Sequence, residues 1–270
     1  MSNDSIQTDA DEFENSMSPA TPQPSQLVES REIIFHREPR ISANKLAEYV
    51  IADPSRQKTI IREAKFAKKL LIVPYSKTRT FIRHAFEANS LNIDKLAQRA
   101  EEIERENEAE GISEWQRNEN ANSALALRKL IPLAPELSWK DARILHEKLG
   151  GMKIAGVKVS VQPELVFRFE HRNIPKVGAI ILNTAKSDEK SLGRNNGGYC
   201  IGDYLSSLLF QMLLSKSPPV PAPLNSKCYA VDVFREQVYT APANYRKLSK
   251  NLEAACEVIA LRWPEIHQVG

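Results

Sequence analysis

Residues 163–186 read PELVFRFEHRNIPKVGAIILNTAK, and the spacing of the apolar residues in this stretch decides the fold class. In Glu164–Glu170, Leu165 and Phe167 are two positions apart, so in an extended strand their apolar side chains would point to the same face. This spacing predicts a strand with one buried face. Val177–Thr184 contains an unbroken apolar run, which is typical of a strand buried on both faces. Two such strands predict the centre of a sheet that other elements cover.

Further strands are predicted on both sides of this stretch, at Lys153–Val161 and Lys227–Tyr239. Burying Phe167, Ile180 and Val231 together requires the strands to share one sheet. We therefore predict an α/β (α+β) fold with a mixed four-stranded sheet flanked by helices. The helices predicted around it cover residues 138–149, 200–215 and 244–263.

The N-terminal half is predicted to be an all-α segment. Ser42 is expected to cap a helix at Ala43–Ala52, and Asp53-Pro54 to start a second helix that reaches about Leu71, because Asp accepts first-turn amides and Pro has a helical φ. Further helices are predicted at residues 76–89, 92–110 and 114–130. The predicted organisation is a disordered acidic tail (1–30), a helical segment (31–133) and an α/β domain (134–270).

Charge is unevenly distributed along the chain, although the formal net charge is only +3. Residues 1–30 contain six acidic and no basic residues, whereas residues 51–90 contain nine basic residues against three acidic ones. Helical spacing predicts one basic face in the second segment, and such a face attracts phosphates. The predicted nucleic-acid-binding residues are Lys58, Arg62, Lys65, Lys68, Lys69, Lys77 and Arg79. The alternative is a solvated helix face that pairs internally with the acidic helix at residues 92–110.

The composition indicates a globular protein, with 42% apolar and 26% charged residues. Its apolar runs are shorter than the ~20 residues that a membrane-spanning helix requires, and the N-terminus lacks a signal pattern. We therefore expect a cytoplasmic protein without a membrane partner. The three cysteines are too scattered to predict a zinc site or a disulfide framework.

The predicted order of helix, three strands, helix and strand resembles the core of the PD-(D/E)XK nuclease-like superfamily. In that superfamily an acidic residue begins the second strand, and an acid-x-Lys triplet lies on the third. Here Pro163-Glu164 begins the strand Glu164–Glu170, and Lys186 ends the strand that follows it. The resemblance covers about residues 138–240.

The resemblance implies a Mg²⁺-dependent phosphodiesterase or nuclease in which Glu164 binds the metal and Lys186 assists the attacking water. Thr184 stands two residues before Lys186, where the superfamily has Asp or Glu. Because Mg²⁺ held by one carboxylate and neutral oxygens is expected to bind weakly, a further acid is needed for activity. The candidates for that additional catalytic role are Glu147, Asp188 and Asp232.

Two functions are compatible with the sequence. The first is a nucleic-acid-associated protein with a divergent, active or inactive, nuclease-like domain, of the kind found in genome (phage) defence or mobile elements. The second is a non-enzymatic adaptor that binds a protein partner through its helical half, with Glu164 and Lys186 as solvated charges at strand ends. An ion between Glu164 and a second acid would favour the first function.

Overall fold

The computed structural model of the protein describes residues 33–68, 75–87, 90–137, 142–145, 150–186, 198–216 and 221–268. These residues contain seven helices, which are α1 (Ala43–Ile51), α2 (Pro54–Lys65), α3 (Ser76–Ala85), α4 (Ile93–Glu106), α5 (Glu114–Leu130), α6 (Ile201–Ser215) and α7 (Tyr245–Arg262). Within the described residues, no helix combines the length and the apolar character needed to cross a bilayer. The predicted acidic tail at residues 1–30 lies outside the described residues.

Twelve strands occur in the same residues. They are β1 (Ile33–Phe35), β2 (Arg40–Ser42), β3 (Phe66–Lys68), β4 (Phe86–Glu87), β5 (Ser90–Leu91), β6 (Arg143–Leu145), β7 (Met152–Ile154), β8 (Val157–Ser160), β9 (Leu165–His171), β10 (Ile174–Asn183), β11 (Pro223–Asp232) and β12 (Gln237–Thr240). Mixed α/β architecture is therefore confirmed.

The central sheet has five strands in the order β12-β11-β10-β9-β6. β9 and β10 are antiparallel, and α6 connects β10 to β11, which lies parallel to it. Gly178 is required in β10, because a Cβ there would lie 2.5 Å from the Lys227 carbonyl oxygen and from the Phe167 ring. The predicted pairing of the β9, β10 and β11 regions in one mixed sheet is confirmed.

Two predictions around this sheet are wrong. Residues 138–149 are predicted to form a helix, but Arg143–Leu145 is a strand that pairs with β9. Residues 138–141 and 146–149 lie outside the described residues. The strand predicted at Lys227–Tyr239 is a hairpin, in which β11 turns into β12. The central sheet consequently has five strands rather than four.

The single strand predicted at Lys153–Val161 is also wrong, because these residues form the hairpin of β7 and β8. Ala155 and Gly156 both have positive φ at the turn, with values of 42° and 84°. Such values are typical of a tight turn whose twist suits two antiparallel strands. β8 pairs in parallel with β2, so these strands form a separate three-stranded sheet in the order β2-β8-β7.

The predicted all-α N-terminal segment contains short strands. α1 begins at the predicted cap, where Ser42 accepts a hydrogen bond from the Lys45 amide. α2 ends at Lys65, earlier than predicted, and the chain continues as β3, which pairs with β1. The reason is tertiary pairing, which overrides a helical pattern in a short segment.

Helices cover both faces of the central sheet. On one face, α1, α6 and α7 share a buried core with the three-stranded sheet, and Leu46, Tyr204 and Leu252 are completely buried there. On the other face, α3, α4 and α5 pack against Phe167 and Ile180. Each large buried side chain contributes about 1.5–3 kcal/mol. Residues Glu32–Gly270 form one compact unit, and both cores combine residues from before and after residue 133.

Candidate functional site

Glu164 and Lys186 lie at the same end of the central sheet. Glu164 immediately precedes β9, and its amide donates to the Ile180 carbonyl oxygen at 2.9 Å. Lys186 follows the end of β10, the antiparallel neighbour of β9. The structure thus places the two residues beside neighbouring strand ends, as the sequence predicts.

The carboxylate of Glu164 is fully occupied by protein donors. Oε1 accepts from Arg79 Nη1 at 2.8 Å, and Oε2 accepts from the Leu182 amide at 2.7 Å. The side chain is only 3% exposed. Because β10 extends beyond the beginning of β9, the Glu164 carboxylate takes the place of a strand partner for Leu182.

The neighbouring carbonyl group of β10 is satisfied in the same way. Asn44, in the first turn of α1, donates its Nδ2 group to the Leu182 oxygen at 3.1 Å. An unpaired backbone group buried in a protein costs about as much as a lost hydrogen bond. Glu164 and Asn44 together therefore complete the edge of β10, which is a structural role for the predicted catalytic acid.

Lys186 is exposed, and its ammonium contacts side chains other than that of Glu164. Its Nζ atom donates to Asn122 Oδ1 at 2.6 Å, so the ammonium contacts α5. It also lies 5.1 Å from the centre of the Phe234 ring. These contacts join Lys186 to α5 and to the turn between β11 and β12.

Asp232 is a buried acid on the next strand. It is paired with Asn183 across β10 and β11, and its Oδ2 accepts from Asn183 Nδ2 at 3.1 Å. Its Oδ1 accepts from the Arg235 amide at 3.2 Å. Burial raises the pKa of Asp232 above its usual value, against the opposing effect of these hydrogen bonds.

The described residues do not fit the Mg²⁺ site that the resemblance implies. Both oxygens of Glu164 are used by Arg79 and Leu182, and both oxygens of Asp232 accept hydrogen bonds from the protein. Over the described ranges, no group of three or more His, Cys, Asp or Glu residues is placed to hold a metal ion. The candidate acids Glu147 and Asp188 lie outside the described residues.

The predicted basic face separates into buried and exposed residues. Three of its cations are used internally: Lys65 donates to the Trp263 and Ile266 carbonyl oxygens, Lys77 contacts Glu106, and Arg79 contacts Glu164. The Lys77 contact matches the alternative prediction of internal pairing with the acidic helix. Lys58 and Lys68 are exposed, Arg62 is half-buried, and Lys69 lies outside the described residues.

A different basic surface crosses the three-stranded sheet. Lys158 in β8 lies directly opposite Arg40 in β2 and directly opposite Lys153 in β7. All three side chains are exposed, and within the described residues none of them forms an ion pair. We call Arg40, Lys158 and Lys153 the cationic row.

The pleat of the sheet explains why these cations share one face. Ile41, Val157 and Val159 alternate with them and are buried against the helices. Neighbouring strands lie about 4.8 Å apart, so the row spans about 10 Å. Like charges directly opposite one another on adjacent strands are destabilising. An anion bound across the row would relieve this repulsion.

The sequence pattern contains only a weak signal for this row. Single lysines alternating with valines occur at Val157–Val159, but no local rule pairs them with residue 40. The positive charge of Arg40 also acts on His36. The pKa of His36 is lowered first by burial and second by repulsion from Arg40. Arg37 and Glu38 are both exposed in the turn that precedes β2.

No protein-family model matches the chain, and no curated protein matches it either. The resemblance to the PD-(D/E)XK superfamily therefore stays a prediction. Two of the elements on which it was based differ in the structure, because the predicted helix at residues 138–149 contains β6, and residues 153–161 form a hairpin outside the central sheet. A fold-level likeness of this kind does not by itself identify a function.

Proposed function

We propose that the protein binds nucleic acid through the phosphate backbone, using the cationic row on the outer face of its three-stranded sheet. The observation that carries this proposal is the register of Arg40, Lys158 and Lys153, which gathers three exposed like charges without an acidic partner among the described residues. The central sheet then acts as a nuclease-like scaffold. Any nucleic-acid cleavage is secondary to binding.

A polyanion is the ligand that suits such a row. Three cations along one line neutralise successive phosphates, and the release of condensed counterions supplies the free energy. The N-terminal part of the fold carries further cations. Lys58 and Lys68 are exposed, Arg62 is half-buried, and α2, which contains Lys58 and Arg62, packs against β2.

The contacts of Glu164 do not support metal-dependent cleavage. A catalytic carboxylate in a metal site offers its oxygens to the ion, whereas both Glu164 oxygens accept hydrogen bonds from Arg79 and Leu182. Ion-pair geometry therefore favours a structural role for this residue.

The test is a triple variant, Arg40→Gln with Lys153→Gln and Lys158→Gln, measured for binding to duplex DNA and single-stranded RNA over a range of salt concentrations. A matched control, Arg117→Gln with Arg246→Gln and Lys250→Gln, removes the same charge from exposed positions on α5 and α7. We expect the slope of log K against log salt to fall in magnitude by about 2 to 3 for duplex DNA in the row variant and to change little in the control.

Equal slopes in the two triple variants would exclude the cationic row as the binding surface. Failure of the wild-type protein to bind either nucleic acid at low salt would exclude the proposed function and leave the adaptor function as the better hypothesis.

A further inference from the structure

A groove lies between α3 and α4, on the helical layer that covers the second face of the central sheet. It consists of two adjoining depressions of about 320 and 250 Å³, which share Phe81, His84 and Arg99. Lys77 and Thr80 line the first depression. Lys95, Gln98 and Glu102 line the second.

Phe81 supplies an aromatic surface to both depressions. Its side chain is half-buried and packs against the core beneath α3, so the ring is supported from the protein side. Because packing on the core already restricts the ring, it loses little conformational freedom when a flat ligand stacks on it. Base–aromatic stacking depends on this kind of platform and tolerates any base.

Arg99 supplies directed hydrogen-bond donors beside the ring. Its Nη1 atom contacts Glu102 at 2.9 Å and Glu106 at 3.3 Å, so two carboxylates hold the guanidinium in place. Within the described residues, its Nε and Nη2 groups have no partner. A guanidinium edge with parallel donors binds phosphate oxygens in a bidentate manner.

Two other polar side chains of the groove suit the same ligand, whereas Glu102, which pairs with Arg99, adds a negative charge to the second depression. His84 and Thr80 are exposed, and both bring hydrogen-bonding groups to the first depression. Lys77 also lines the first depression, but Glu106 and Asn120 hold its ammonium, so the groove depends on Arg99 for its anion-binding donors. The groove therefore combines one flat apolar surface with anion-binding donors on its borders.

We infer that this groove binds an unpaired nucleobase on Phe81 together with an adjacent phosphate on Arg99. The inference rests on the proposed function and adds a preference for single-stranded nucleic acid. In a duplex, base faces are stacked on each other and cannot reach Phe81, whereas an unpaired base is free to stack on an aromatic side chain. The cationic row then binds both duplex and single-stranded nucleic acid, whereas the groove binds only single strands.

The experiment compares Phe81→Leu with wild type for binding to a short oligothymidylate and to a duplex of equal length. Leucine keeps most of the apolar contact with the core but removes the aromatic ring. We expect single-strand affinity to fall by about 5- to 100-fold and duplex affinity to remain within about twofold of wild type. Phe234→Leu is the control, because Phe234 is another half-buried aromatic residue that packs on the same core outside the groove.

A second measurement keeps the inference testable if Phe81→Leu is poorly folded. Photo-crosslinking of wild-type protein with a halogenated single-stranded oligonucleotide should modify the segment that contains Phe81, and excess duplex should not prevent it at high salt. Crosslinks elsewhere, or unchanged single-strand affinity in folded Phe81→Leu, would overturn the groove and leave the cationic row intact. Wild-type protein that binds neither nucleic acid would overturn both proposals.

Discussion

The carboxyl end of β10 and the outer face of the three-stranded sheet both gather charged side chains, but the charges are used in opposite ways. At the end of β10, Glu164 is buried, and each oxygen has a donor. On the outer face, Arg40, Lys158 and Lys153 are exposed and repel one another. Satisfied buried charges hold a fold together, whereas unsatisfied exposed charges of one sign are available to a ligand. The difference supports a structural role for the first region and agrees with the binding role proposed for the second.

The strongest test of this comparison is Glu164→Ala. We expect it to lower the free energy of unfolding by about 1–3 kcal/mol, because it leaves the buried Leu182 amide without a partner and removes the carboxylate from Arg79, whose side chain is 32% exposed. Urea denaturation measures the change. Glu170→Ala is the control, because Glu170 is exposed at the other end of β9 and should change stability by less than about 0.5 kcal/mol. Near-equal stability of the two variants would contradict the structural role of Glu164.

Asp232 gives a smaller, pH-dependent effect in the same region. Because its pKa is raised in the folded state, the folded protein retains a proton that the unfolded chain releases, so stability falls as pH rises between the unfolded and folded pKa values. The slope is at most about 1.4 kcal/mol per pH unit. In Asp232→Asn this contribution to the slope should disappear, which urea midpoints measured from about pH 4 upward will show. A slope unchanged by the substitution would mean that Asp232 has an ordinary pKa.

Lys158→Gln should produce the smallest effect and one of opposite sign. Removing the central charge of the cationic row relieves two cross-strand repulsions, so we expect the free energy of unfolding to rise by about 0.2–1 kcal/mol at low salt. This increase in the free energy of unfolding should vanish at about 1 M salt, where the Debye length is only about 3 Å. Lys250→Gln, at an exposed position on α7, is the control. A gain that persists at high salt would show that repulsion is not its cause.

Local sequence patterns predicted the elements whose signals are strong and self-contained. Glu114–Leu130 forms a helix with the predicted bounds, and the capping residues Ser42 and Asp53 accept the amide hydrogen bonds expected of them. The strands predicted at residues 164–170 and after Val177 are also confirmed, although Val166 is buried as well, so the beginning of β9 is covered on both faces. In each case the period of the apolar residues and the local backbone agree.

The errors occur where a distant strand decides the conformation. Ile144 and Leu145 suit a helix or a strand equally, and pairing with Phe167 and Val166 selects the strand. The tight turn at Ala155-Gly156 makes residues 153–161 a hairpin, whereas the apolar pattern alone predicts one strand. The candidate site shows the same limit. Glu164 and Lys186 were located correctly at the end of the sheet, but the donors from Arg79 and Leu182 that occupy Glu164 come from tertiary packing.

The parallel pairing of β2 with β8 also affects when the cationic row forms during synthesis and folding. Arg40 meets Lys158 only after the chain has been made as far as β8, and contacts between residues so distant in sequence form slowly during folding. During synthesis, a nascent chain that ends before Met152 carries Arg40 without its two companions. The cationic row is therefore assembled late, after most of the helical segment has left the ribosome, and a truncated product would lack it.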